Sequence, residues 1–163
     1  MRFRPFRQVE ADFLANAPRM ITSTSVIAAP REEVFAAISG DPSTWTWFPG
    51  FSDRGSWLSD PPQGAGSRRE VHMGGVTYRE TVLVWDAPHR WGFRVDEATA
   101  PIARALAEEY RLVADGDQTV VHWTFCADVG APLHALLGLR PAPPAMGLLW
   151  RKASANLEAR LQR

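Results

Sequence analysis

From residue 51 to residue 128 polar and apolar residues alternate in short runs separated by turn residues, and a helical period follows over 145–161. Period two is the pattern of a strand with one face on a core. Runs at 51–58, 67–73, 76–85, 90–95, 104–114 and 119–128 therefore predict strands. Gly74-Gly75, Asp86-Ala87-Pro88 and Asp115-Gly116-Asp117 are tight turn signals between consecutive runs. Strands joined in this way form an antiparallel meander, and a meander must cover one face. Met146, Trp150, Ala153, Leu157 and Leu161 form an apolar stripe on the C-terminal helix, the one helical stretch long enough to do so.

Upstream, 20–28 is rich in Thr, Val and Ile and predicts a first strand. Pro30 suits a helix start, Glu32 and Glu33 sit where the helix dipole favours acids, and Gly40 closes a helix over 31–39. Asp41-Pro42-Ser43 opens a second short helix through Trp47. Residues 130–144 hold Pro132, Pro141, Pro143 and Pro144 and predict a broken helical segment. Residues 1–18 form an N-terminal extension in which Phe3, Phe6, Val9 and Phe13 recur at near-helical spacing, so a short helix docking on the body is expected. The domain proper is 19–163. The fold class is α+β: a curved antiparallel sheet of six to seven strands wrapped around a long C-terminal helix, with two short helices after the first strand.

Composition narrows the function classes. Formal net charge is zero, which argues against a nucleic-acid partner, because that binding draws on a basic patch. One cysteine, Cys126, excludes an intramolecular disulfide. No apolar run reaches the ~20 residues of a membrane span, so no stable membrane insertion is expected and a cytoplasmic location is. His72, His89, His122 and His134 lack metal-ligand spacing, and neither a phosphate loop nor a Gly-x-Ser-x-Gly elbow is present. No metal and no cofactor are called for.

Parity assigns the inner face. Val121, Trp123 and Phe125 share one side of the last strand, and Leu106, Glu108, Tyr110 and Leu112 one side of its neighbour. Trp91, Phe93 and Val95 form a third set; Tyr78, Glu80, Val82 and Val84 a fourth; Arg69, Val71 and Met73 a fifth. Arg69, Glu80 and Glu108 would then enter the concavity among aromatics. A lone buried charge costs several kcal/mol, so these groups must be paired. An Arg69–Glu80 ion pair is the structural reading, and a polar anchor for a ligand is the functional one.

The order of elements, with Ala29-Pro-Arg-Glu-Glu-Val-Phe, Trp45-Thr-Trp-Phe-Pro, Gly66-Ser-Arg-Arg, Tyr78-Arg-Glu-Thr-Val, Trp85-Asp-Ala-Pro-His-Arg and Asp115-Gly-Asp-Gln-Thr-Val-Val-His-Trp, resembles the START-like, helix-grip superfamily. The likeness is to its polyketide cyclase/dehydrase and lipid-transport branch. That resemblance implies a cavity between sheet and last helix that takes an apolar small molecule of lipid, polyketide or aromatic type. Trp47, Arg69, Val71, Tyr78, Glu80, Val82, Trp91, Phe93, Glu108, Tyr110, Trp123, Phe125, Met146 and Trp150 are the candidate ligand-binding residues. Two alternatives stay open. One is a cyclase, aromatase or dehydratase using Arg69, Glu80 and Glu108. The other is an interaction module or homodimer docking through the N-terminal arm or 130–144.

Overall fold

The computed structural model of the chain describes residues 2–129 and 142–163, the side chains of 142–144 apart. The strands are β1 (Arg4–Pro5), β2 (Arg19–Ile27), β3 (Ser56–Trp57), β4 (Arg68–Met73), β5 (Val76–Asp86), β6 (Arg90–Ala98), β7 (Ala105–Asp115) and β8 (Gln118–Asp128). The helices are α1 (Phe13–Asn16), α2 (Arg31–Ser39), a 3-10 turn at Pro42–Trp47, and α3 (Ala142–Leu161). One antiparallel sheet runs in the order β2-β8-β7-β6-β5-β4-β3, with β1 added to β6. Its eight strands exceed the expected six to seven because β1 adds a two-residue piece on β6.

Local chemistry explains the joints. Gly74 and Gly75 both take positive φ, the conformation a two-residue hairpin turn requires, and they place Arg69 opposite Glu80 in the β4–β5 register. The Asp41 carboxylate accepts from the Ser43 amide at 2.9 Å, and the turn it caps drives Trp45 into the core. α3 lies in the concavity with Trp150, Ala153 and Leu157 fully buried. It begins at Ala142, three residues before the expected start. Most of the expected broken segment, residues 130–141, lies outside the described residues.

Three expectations need correction. The predicted strand at 51–58 shrinks to Ser56–Trp57, with Phe51 making a single bridge to Met73. Between them the chain turns, anchored by the Ser52 amide on the His72 carbonyl. Val84 does not share the inner face with Val82, because a register shift between Val82 and Val84 turns Leu83 and Val84 outward. The arm is not a helix through Phe3, Phe6, Val9 and Phe13. Pro5 sits in a strand on β6, the Phe6 amide bonds the Asp96 carbonyl, and helix forms only at Phe13.

The arm still docks on the body. Val9, Phe13 and Leu14 bury themselves on the outer sheet face against Ala105, Ala107 and Cys126. Gly92 permits this approach: a Cβ there would stand 3.3 Å from a Leu14 methyl and 3.0 Å from the Glu108 carbonyl oxygen. These arm side chains are therefore occupied within the chain. Burial also pushes the Cys126 thiol up to about 12, so it is unreactive while covered. Leu14→Ala is expected to cost about 2–4 kcal/mol. It should also make Cys126 accessible to a thiol reagent under native conditions. Labelling no faster than in the parent would show that Leu14 is not its cover.

Candidate functional site

The concave face is built in two layers. Deepest lies Arg69, with no exposed surface, whose Nε donates to Glu80 Oε2 at 2.6 Å across the β4–β5 ladder. Its guanidinium carbon stands 4.3 Å from the Trp45 ring centroid, 4.6 Å from Trp91 and 4.7 Å from Phe93. Nη1 and Nη2 have no hydrogen-bond partner among the described residues, and the ring faces are what attract them. The aromatic packing continues from Trp91 to Tyr110, to Trp150 and to Trp123, with centroids 5.2–5.9 Å apart.

Above this layer is a half-open cavity of about 170 Å³. β4 to β8 supply Met73, Tyr78, Glu80, Phe93, Val95, Leu106, Glu108, Trp123 and Phe125; α3 supplies Met146 and Leu149. Phe48, Phe51 and Ile102 enter from connecting segments. The wall is almost wholly apolar, and its polar part is Tyr78 with the two carboxyls.

Glu108 is the better defined of the two. It lies opposite Phe125 on β8 and diagonal to Trp123. Its Oε2 accepts from the Trp123 indole N–H at 2.9 Å and from the Tyr110 hydroxyl at 3.0 Å. Burial pushes its carboxyl up to about 7, and Glu80 adds to the rise; the two donors and Arg69 oppose it. Burial likewise raises Glu80, against the pull of Arg69. Tyr78 is raised by burial, then by Glu80 and Glu108. Tyr110 is raised well above the ordinary phenol value by the same burial and by Glu108. A carboxyl near 7 at a cavity wall can donate or accept a hydrogen bond and can exchange a proton at neutral pH.

The sequence-derived candidates divide between the layers. Tyr78, Glu80, Phe93, Glu108, Trp123, Phe125 and Met146 line the cavity. Arg69, Val71, Val82, Trp91 and Tyr110 face inward but lie behind that lining. Tyr110 acts on the cavity through Glu108, whereas Arg69 is sealed off by rings. Trp150 backs Trp123 and borders a different surface hollow, beside Ser23 and Arg151. Trp47 is core, and its carbonyl accepts from the Asn156 amide at 2.9 Å. Of the three catalytic candidates, Glu80 and Glu108 reach the cavity and Arg69 does not. Parity missed Phe48, Phe51, Ile102 and Leu149, because they come from loops and from the helix. Among the described residues no three His, Cys, Asp or Glu side chains gather as metal ligands.

The family described as polyketide cyclase/dehydrase and lipid transport matches residues 19–162. The chain belongs to this family. Uncharacterized proteins of Mycobacterium tuberculosis and Mycobacterium bovis are 30% identical to this polyketide cyclase/dehydrase family member over 155 residues, 94% of this chain and 90% of theirs. A START superfamily protein from Mycobacterium smegmatis superimposes with a TM-score of 0.69 at 16% identity, covering 88% of this chain and 97% of that one. A protein from Thermus thermophilus gives 0.69 at 18%, over 88% and 97%. DynU16, from the dynemicin biosynthetic locus, gives 0.61 at 16%, covering 88% of this chain and 47% of that one. The START-like helix-grip fold of this family member is thereby established, and no described helix is long and apolar enough to cross a membrane.

Proposed function

We propose that this protein binds a small, mainly apolar molecule in the cavity between α3 and the concave sheet face. The observation that carries this reading is the cavity itself: about 170 Å³ with an apolar wall and a converging polar patch of Glu108, Glu80 and Tyr78. Size sharpens it. An apolar cavity of about 150 Å³ takes up benzene. A molecule built on one aromatic ring, or an aliphatic of that bulk, fits this space.

Val95→Phe tests the reading. Val95 is buried at the cavity wall, and a ring at that position would occupy the space. Native mass spectrometry of the parent should show a bound small molecule, or thermal melts should rise with indole-sized aromatics. Val95→Phe should lose either signal and keep or raise the ligand-free Tm, as cavity filling commonly does. An empty parent that ignores the whole panel would sink the proposal.

Glu108 favours a second reading, an enzyme of cyclase or dehydratase type. Its carboxyl at about 7 is matched to proton transfer at neutral pH. That reading requires Glu108→Gln to abolish turnover of a bound substrate. Turnover that persists would remove Glu108 from the mechanism, and a parent that binds without turning anything over would leave binding as the function.

A further inference from the structure

The charges of the cavity do not balance. Its ionisable lining is Tyr78, Glu80 and Glu108, and no Lys, Arg or His lines it among the described residues. The nearby cation, Arg69, is already engaged with Glu80 and is closed off behind Trp45, Trp91 and Phe93. One base is thus set against two acids, both of which line the cavity, and Glu108 is the one without a cationic partner among the described residues. Both of its described hydrogen bonds end on Oε2. Oε1 remains to meet an occupant.

The rest of the wall has the matching chemistry. Phe48, Phe51, Tyr78, Phe93, Trp123 and Phe125 surround the space. Ring faces carry negative potential and attract ammonium groups, most strongly where water is excluded. Among the described lining residues a carboxylate ligand would find no cation to pair with and two like charges to face. Resting on the small-molecule reading above, we infer that the occupant is a small molecule carrying a protonated amine, held by the Glu108 carboxylate and the surrounding rings, and that carboxylates are rejected.

Proton linkage gives a signature of the pair. Glu108 is faced by Glu80 and Tyr78 from β5, Arg69 from β4 and Tyr110 from its own strand; α3 presents Met146 and Leu149. An ammonium stabilises the ionised carboxylate, so below pH about 7 binding must first expel the Glu108 proton. Affinity for an amine then falls by up to about tenfold per pH unit, while a neutral analogue is unaffected.

The test uses the full chain and three ligands of one shape, 2-phenylethylamine, 2-phenylethanol and phenylacetate, by calorimetry at pH 8 and pH 6. The expected order at pH 8 is amine tightest by at least tenfold, alcohol next, carboxylate weakest. The amine should weaken at pH 6 and the alcohol should not, a comparison that needs no variant. Glu108→Gln should erase the amine's advantage over the alcohol and the pH dependence of that advantage. An alcohol or carboxylate that binds as tightly as the amine overturns the inference and leaves the small-molecule cavity standing. Binding by none of the three also overturns it, and the Val95→Phe comparison then decides whether the cavity reading falls as well.

Discussion

Arg69→Leu is expected to destabilise the protein by about 3–5 kcal/mol, because it strands a buried carboxylate rather than because it removes an attraction. Glu80 is 4% exposed, and its described cationic partner is the Arg69 guanidinium at 2.6 Å. A domain of this size is stable by only about 5–15 kcal/mol, so the loss is a large share of the whole. Two features identify the cause. An unpaired Glu80 would protonate more readily, so the deficit should shrink as the pH is lowered from 8 to 5. The double variant Arg69→Leu/Glu80→Leu should recover much of the loss, since apolar residues of suitable bulk commonly replace a buried ion pair at little cost. Urea denaturation of the parent and the two variants at both pH values measures this. A deficit below 1 kcal/mol, or a double variant worse than the single one, would mean that the aromatic packing rather than the stranded carboxylate sets the cost.

Glu108→Gln should stabilise the protein in the opposite circumstance. In the unfolded chain this carboxyl titrates near its ordinary 4.5, and in the fold it is pushed up to about 7. The folded state therefore binds the extra proton between those values, and stability falls as the pH rises through that window. At 1.36 kcal/mol per unit the loss, complete above pH 7, amounts to about 3–4 kcal/mol. Glutamine has no proton to lose, and its amide oxygen can still accept from Trp123 and Tyr110. The variant should therefore be more stable than the parent by roughly that amount at pH 8 and no more stable at pH 4, measured by urea unfolding. Equal curves at pH 8 would show that Glu108 is hydrated or otherwise compensated. A parent less stable than its neutralised variant is what a site kept for binding would look like, since functional groups are often held at a cost in stability.

Much of this arrangement is legible in the alternation of the strands. On β4, β7 and β8, and on β6 from Arg90 to Val95, the pleat carries parity without interruption, and Arg69, Trp91, Phe93, Glu108, Tyr110 and Trp123 face inward as the pattern requires. It fails on β5 at Val84, where a bulge inserts a residue that no hydrophobic pattern marks. Parity also gives a face and no depth. Arg69 and Glu80 point the same way, yet one lies beneath three rings and the other borders the cavity, a difference set by sheet curvature and by where Trp45 arrives from a distant turn. Phe48 and Ile102 were invisible for a related reason: loops have no period, and which loop residue closes a cavity depends on the packing of every element beneath it; Phe51 was placed in a strand that forms only at Ser56–Trp57. In the arm, the spacing of Phe6, Val9 and Phe13 correctly signalled docking, while Pro5 decided the form it took.

The placement of Trp123 makes the protein its own optical instrument. Its indole N–H is bonded to the carboxylate whose charge changes near neutral pH, the side chain lines the cavity, and its centroid is 5.2 Å from that of Trp150. An occupant or a proton arriving at Glu108 alters the electric field on that chromophore and the exchange of excitation with its neighbour. Emission from the unlabelled chain should thus shift with both pH and occupancy, and Trp123→Phe should silence the shift while leaving the other six tryptophans to emit as before.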